Sequence, residues 1–221
     1  QEGVFISMSH LGPEWVAEKF KGMVKRCADC GFDLAGGKVE VVPTAHYFMG
    51  GVVVDPDTRT ALEGLYVAGE DSGGAHGSNR LGGNGVANST VFGGIAGDEM
   101  AQQAGGQRHW ADVDTGVVEA AIERSLAPFR QAPGDINGIR DRLLDVMWDG
   151  VGVLRDAAGL RQAQAQLAEL KTELHQSGLA DENRVFNLSW HDWLNLNSLL
   201  EVSEVIAGAA LSRENSRGAH Y

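Results

Sequence analysis

Apolar positions change their rhythm partway along the chain. In the second half Leu160, Ala163, Leu167, Leu170 and Leu174 follow at steps of three and four, an apolar seam on one helical face. Similar spacing predicts helices over 115–131, 136–150, 157–176 and 189–211, with Ser189 and Asp192 as a capping-box-like start for the last. Short connections between them predict an antiparallel bundle, with the leucine seam in its core. The first half reads differently. Residues 4–8, 38–42, 51–54 and 65–69 are short β-rich runs, and Pro13 opens a helical stretch to about Cys30. Asp55-Pro56-Asp57-Thr58 has turn chemistry, and small and apolar residues from about Asn84 to Gln103 suit a helix packed closely on a sheet. The predicted class is α+β in front of an all-helical back.

Composition narrows the possible partners. The 221 residues carry 18 basic and 30 acidic side chains, a net charge of −12, which argues against nucleic acid and anionic membrane as main partners. No apolar run approaches the ~18 residues of a spanning helix. No basic-then-apolar leader opens the sequence, and two cysteines suggest a reducing, cytoplasmic compartment. A start at Gln1 without an initiator Met, and a stop straight after a charged run, set the expectation of a piece of a longer protein.

Nine of the thirty glycines lie between Gly73 and Gly97, among Leu81, Val86, Val91, Phe92 and Ile95. A flexible linker would lack those apolar residues. Glycine set among them points instead to backbone that approaches a ligand or takes positive φ.

Several chemistries are not supported. Nothing matches G-x-G-x-x-G or the P-loop pattern, so no dinucleotide pyrophosphate turn is present in this stretch. Cys27 and Cys30 form a lone C-x-x-C without a second ligand pair, which reads as two ordinary helical cysteines, and no metal site is expected. A constellation of polar residues beside the glycines remains. His46 lies between a strand end and the Gly50-Gly51 pair. Glu70 closes the 65–69 strand, and Arg80 sits in the loop His76-Gly77-Ser78-Asn79-Arg80-Leu81-Gly82-Gly83-Asn84-Gly85 at a helix start. A His and an Arg converging on one pocket can clamp a carboxylate, and a helix N-terminus favours negative charge beside it.

The strings PTAHYFMGG, GLYVAGE, HGSNRLGGNG and VFGGIAG, in that order, resemble the flavoprotein subunit family of succinate dehydrogenase and fumarate reductase, which includes L-aspartate oxidase. MSHLGPEWV resembles the family's capping-domain end, MWDGVGVLR its helical-domain signature and RENSRGAH its closing motif. The resemblance implies residues 1–43 as the end of a capping domain, 44–105 as the C-terminal part of an FAD-binding domain and 106–221 as a helical domain. It implies His46 and Arg80 on a dicarboxylate, Glu70 on an FAD ribose hydroxyl, and Gly85 and Val86 against the flavin ring. The implied reaction is hydride transfer between flavin N5 and a C4 dicarboxylate.

The resemblance also implies an iron–sulfur subunit or other electron carrier as partner, with the chain cytoplasmic or peripheral at a membrane face. An L-aspartate oxidase activity is the alternative within the family, and a non-catalytic helical interaction module the alternative outside it. The family commonly has Asn-Ser-Leu where this chain has Asn84-Gly85-Val86, and its proton-delivering Arg is expected upstream of Gln1. The 221 residues alone are therefore expected to be inactive and to bind FAD weakly or not at all.

Overall fold

The computed structural model describes residues 3–42, 46–106 and 112–221. Pro43, Thr44 and Ala45 of the PTAHYFMGG string lie outside the described residues. The chain forms two compact units, Gln1–Phe48 and Met49–Tyr221.

In the first unit β1 (Val4–Ser7) pairs antiparallel with β2 (Lys38–Val41), Phe5 opposite Glu40 and Ile6 opposite Val39. The helical stretch predicted from Pro13 to Cys30 is broken in two, α1 (Pro13–Lys19) and α2 (Lys21–Asp29). Phe20 leaves helical geometry at φ −117°, ψ 35° and serves as C-cap of one helix and N-cap of the next. Val16, Leu34 and Val39 form a small core, with Met8, Val24 and Cys27 packed against it. Cys27 is thus half-buried packing material, and both Cys27 and Cys30 are free thiols.

The second unit starts with short backbone pairings. The strands predicted at 51–54 and 65–69 are reduced to isolated bridges, Val52 parallel to Ser72 and Arg59 antiparallel to Tyr66. The Asp55–Thr58 turn forms as its chemistry dictates. Asp55 Oδ1 accepts from the amides of Asp57 and Arg59 at 2.9 Å each, and Thr58 turns the chain at φ +67°. The long helix α3 (Asn84–Gly106) follows, tied back to this hairpin by the Arg59–Glu99 ion pair and by Tyr66 donating to Gln103 at 2.9 Å.

Helices α4 (Thr115–Leu126), α5 (Ile136–Val151), α6 (Ala157–Gln176) and α7 (Leu188–Ser212) complete the unit. The first is shorter than predicted: Pro128 withholds an amide and α4 gives way to a 3-10 turn over Ala127–Arg130. All five seam residues of α6 are buried, as the three-four spacing predicts, and they meet Ile139 and Leu143 of α5 and Trp193, Leu196 and Leu200 of α7.

The side-chain pairs make the packing antiparallel. Arg142, early in α5, reaches Glu173, late in α6, at 2.6 Å, while Gly150 lies against Ala163. His175, at the end of α6, meets Asn197 at 2.8 Å, and Lys171 meets Glu204 at 2.6 Å. Asp114, Asp135, Asp156 and Asn187 cap the four helices by accepting first-turn amides. Each such cap contributes about 1 kcal/mol. The last helix begins at Leu188 with Asn187 as its cap, one residue before the predicted Ser189.

Candidate functional site

The glycine-rich segments of the second unit are assembled by backbone contacts. The Val52 amide donates to the Asp71 carbonyl at 2.8 Å, and the Gly73 amide donates to the Val52 carbonyl at 2.9 Å. Gly51 stands at φ +139°, and a Cβ there would overlap the Asp71 carbonyl oxygen. Only glycine allows the chain to run this close.

Gly69, at the end of the 65–69 segment, offers its carbonyl to three donors. They are Ser72 Oγ at 2.7 Å, the Ser72 amide at 3.2 Å and Asn88 Nδ2 at 3.0 Å. Asn88 comes from the second turn of α3 and is 5% exposed. The same Nδ2 lies 3.1 Å from His76 Nε2. An amide nitrogen only donates, so the imidazole nitrogen accepts and the ring proton sits on Nδ1. Asn88 therefore ties the strand end that precedes Glu70 to the start of the Arg80 loop. Sequence reasoning assigned it no role. Nothing in the sequence sets it apart from the polar Ser89 and Thr90 that follow it in α3.

Arg80 is half-buried and held by its own backbone, its amide lying 3.1 Å from Met49 Sδ. Its Nη1 donates to the Leu81 carbonyl at 3.2 Å, and the Asn84 amide donates to that same carbonyl at 3.2 Å. The guanidinium loop and the first turn of α3 are thereby joined. Gly85 and Val86 lie in that first turn, where their carbonyls accept from Ser89 Oγ at 3.2 Å and Thr90 Oγ1 at 2.9 Å. Val86 is 78% exposed, and a Cβ on Gly82 or Gly83 would meet nothing within 4 Å. An apolar surface with open space lies beside a helix N-terminus of positive partial charge.

Glu70 is exposed and directly follows the Gly69 hub. Glu70, Arg80, Gly85 and Val86 thus share the second unit, on segments linked through Gly69, Asn88 and Leu81. His46 belongs to the first unit, where it is exposed two residues before the boundary.

The closing motif is a built element. Arg217 and His220 exchange backbone bonds, with the Arg217 amide to the His220 carbonyl at 2.8 Å and the return bond at 3.3 Å. The Ala219 amide donates to the Ser78 carbonyl at 3.1 Å, within the Arg80 loop. Arg155, just past α5, donates from Nε to the Gly152 carbonyl at 2.6 Å and lies 3.1 Å through Nη1 from His220 Nδ1. Burial first, then the Arg213 charge, hold the Arg155 guanidinium below the usual arginine value.

The family profile described as "Fumarate reductase flavoprotein C-term" matches residues 140–221, and one described as "FAD binding domain" matches 1–86. The chain is 37% identical to a fumarate reductase (CoM/CoB) polypeptide of Methanothermobacter marburgensis, over 99% of this chain and 40% of that one. It is 35% identical to "L-aspartate oxidase 1" of Ralstonia nicotianae, over 99% of this chain and 39% of that one. The structure "Mycobacterium smegmatis Sdh1 in complex with UQ1" matches with a TM-score of 0.86 and 37% identity, over 99% of this chain and 37% of that one. The chain spans about two fifths of the length of the curated relatives it matches.

Proposed function

This chain belongs to the succinate dehydrogenase and fumarate reductase flavoprotein family, and we propose on that premise that it forms part of an FAD-dependent oxidoreductase acting on a small dicarboxylate. The observation that supports this most directly is the placing of Arg80. Its loop is pinned by Met49 on one side and by the closing motif on the other, and it leads through Leu81 into the N-terminus of α3.

The residues fit the cofactor. The exposed Val86 and the open space beside Gly82 and Gly83, next to the positive end of α3, suit a flat ring with an anionic edge. When bound, FAD supplies the centre, flavin N5, that exchanges a hydride with the dicarboxylate. Glu70 accepts from a ribose hydroxyl. Arg80 presents a planar fork to a substrate carboxylate, orienting it and drawing charge away from it, and His46 is the second residue assigned to dicarboxylate binding. In this reading residues 1–43 close a capping domain, 44–105 complete an FAD-binding domain and 106–221 form the helical domain.

No helix among the described residues is long and apolar enough to cross a membrane. Electrons would pass to an iron–sulfur subunit or another carrier, on the cytoplasmic side. The test is Arg80→Ala in the full-length protein. Loss of dicarboxylate turnover with unchanged folding is expected, and unchanged turnover would overturn the clamp. Because one relative is named an L-aspartate oxidase, the same preparation should be offered succinate, fumarate and L-aspartate in turn, with the flavin spectrum as readout. A response to L-aspartate alone would move the substrate assignment to that branch.

A further inference from the structure

The Arg80 loop has a second anchor whose parts come from the far end of the sequence. Gly218 turns at φ +65°, and a Cβ there would overlap both the carbonyl oxygen and the side chain of Ser78. The Ala219 amide then closes on that carbonyl at 3.1 Å. The Arg217–His220 turn is therefore pressed on the loop two residues before Arg80, at a point where any side chain would push it away.

What holds the turn there is Arg155. A guanidinium offers donors only, so His220 Nδ1 accepts from Nη1 at 3.1 Å. The ring proton then sits on Nε2, which donates to the Arg213 carbonyl at 2.9 Å. Arg155 is fixed at its other edge by the Gly152 carbonyl, and its own amide donates to the Tyr221 carbonyl at 2.9 Å. Arg213 closes the motif on itself, through Nε to Asn215 Oδ1 at 3.0 Å and Nη2 to the Arg217 carbonyl at 3.2 Å. A half-buried arginine set beside a second arginine is a costly arrangement unless those bonds are made.

We infer that Arg155 and His220 are positioning residues for Arg80: they seat the Gly218 turn against Ser78, and through that carbonyl they fix where the Arg80 guanidinium is presented. The inference rests on Arg80 being the carboxylate-binding residue. A displacement of about 1 Å in such a group can cost up to a hundredfold in rate, so the effect should be read in kcat/KM and in substrate binding rather than in fold.

The experiment is a double-mutant cycle in the full-length, FAD-loaded protein, with Arg80→Ala, Arg155→Ala and the pair. Succinate affinity is measured by calorimetry and kcat/KM with fumarate. Arg155→Ala should lower kcat/KM with fumarate by between about tenfold and a hundredfold and weaken succinate binding, with flavin content and thermal midpoint little changed. Added to Arg80→Ala it should cost almost nothing more, because the residue it positions is gone. His220→Asn, which keeps an acceptor near the Nδ1 position, should retain most of the affinity that His220→Ala loses. Gly218→Ala gives a route to the same loop displacement if Arg155→Ala fails to fold, and it too should weaken succinate binding. If Arg80→Ala leaves succinate binding intact, the functional reading itself fails. If Arg80→Ala weakens binding but Arg155→Ala either spares it or adds its full loss to the remaining affinity of Arg80→Ala, the positioning role is overturned and the functional reading stands.

Discussion

Asn88 Nδ2 stands between two acceptors, the Gly69 carbonyl at 3.0 Å and His76 Nε2 at 3.1 Å. One buried amide thus joins the strand end before Glu70, the entrance of the Arg80 loop and α3. Asn88→Ala removes both bonds while Ser72 still satisfies Gly69. A loss of about 1–3 kcal/mol is expected in denaturant unfolding. Asn88→Asp keeps the size but offers acceptors to two acceptors, so it should be at least as damaging near neutral pH. An unfolding midpoint indistinguishable from wild type in both variants would remove Asn88 from this role.

The bundle core should respond as its burial dictates. Leu167→Ala, fully buried on α6 between α5 and α7, is expected to cost about 2–5 kcal/mol. Val205→Ala on the exposed side of α7 should stay within about 0.5 kcal/mol. Equal losses at the two positions would contradict the packing described above.

Asn187 caps α7 and also binds the loop before it. Its Oδ1 accepts from the Trp190 amide at 2.9 Å, while Nδ2 donates to the carbonyls of Asp181 at 2.8 Å and Asn183 at 2.7 Å. Asn187→Ala should lose about 1–2 kcal/mol from the cap, and more from the loop carbonyls it leaves behind. Asn187→Asp should recover the cap but not the loop bonds, so in thermal melts it should fall between wild type and Asn187→Ala.

Arg80→Lys keeps the charge at the proposed clamp and loses the planar fork. A fall in kcat/KM for the dicarboxylate of about tenfold or more is expected, since Lys offers a point charge where Arg offers two parallel donors. Full activity in the lysine variant would mean that charge alone is needed there.

The 221-residue chain expressed by itself has no G-x-G-x-x-G turn for the FAD pyrophosphate. It is expected to purify without stoichiometric flavin and to show no dicarboxylate turnover. Absorbance of the purified chain checks this directly, and a yellow preparation with one FAD per chain would count against it.

Much of the bundle was legible because helical periodicity writes burial into the sequence. The seam from Leu160 to Leu174 needed only its spacing, and each of its residues is in the core. The break at Phe20 was not legible, since Phe20 is no helix breaker and Gly22, two residues on, lies inside α2. The runs at 51–54 and 65–69 have strand composition, yet each finds just an isolated bridge, and Val53 is left 84% exposed. Composition reports a preference for extended backbone, not whether a neighbour lies alongside. Around the candidate site, glycines and the polar residues among them drew the reading to the Glu70 strand end and the Arg80 loop, while Gly85 and Val86 were singled out only by the family resemblance. The Asn88–His76 bond, the Ser78–Ala219 junction and the Arg155–His220 pair were not. They are contacts between residues far apart in the chain with no period to reveal them.

The Ser78–Ala219 junction has a consequence for the order of folding. It closes a loop that contains α3, α4 and the packed helices α5, α6 and α7, and contacts of such long range form late, after the local helices, whose formation costs little loop entropy. The Arg80 loop should therefore acquire its native shape only when the final residues of this sequence have docked. Substrate affinity then becomes a completion signal: a protein with its helices formed but its last turn unseated would pass as folded by circular dichroism and still fail to hold a dicarboxylate.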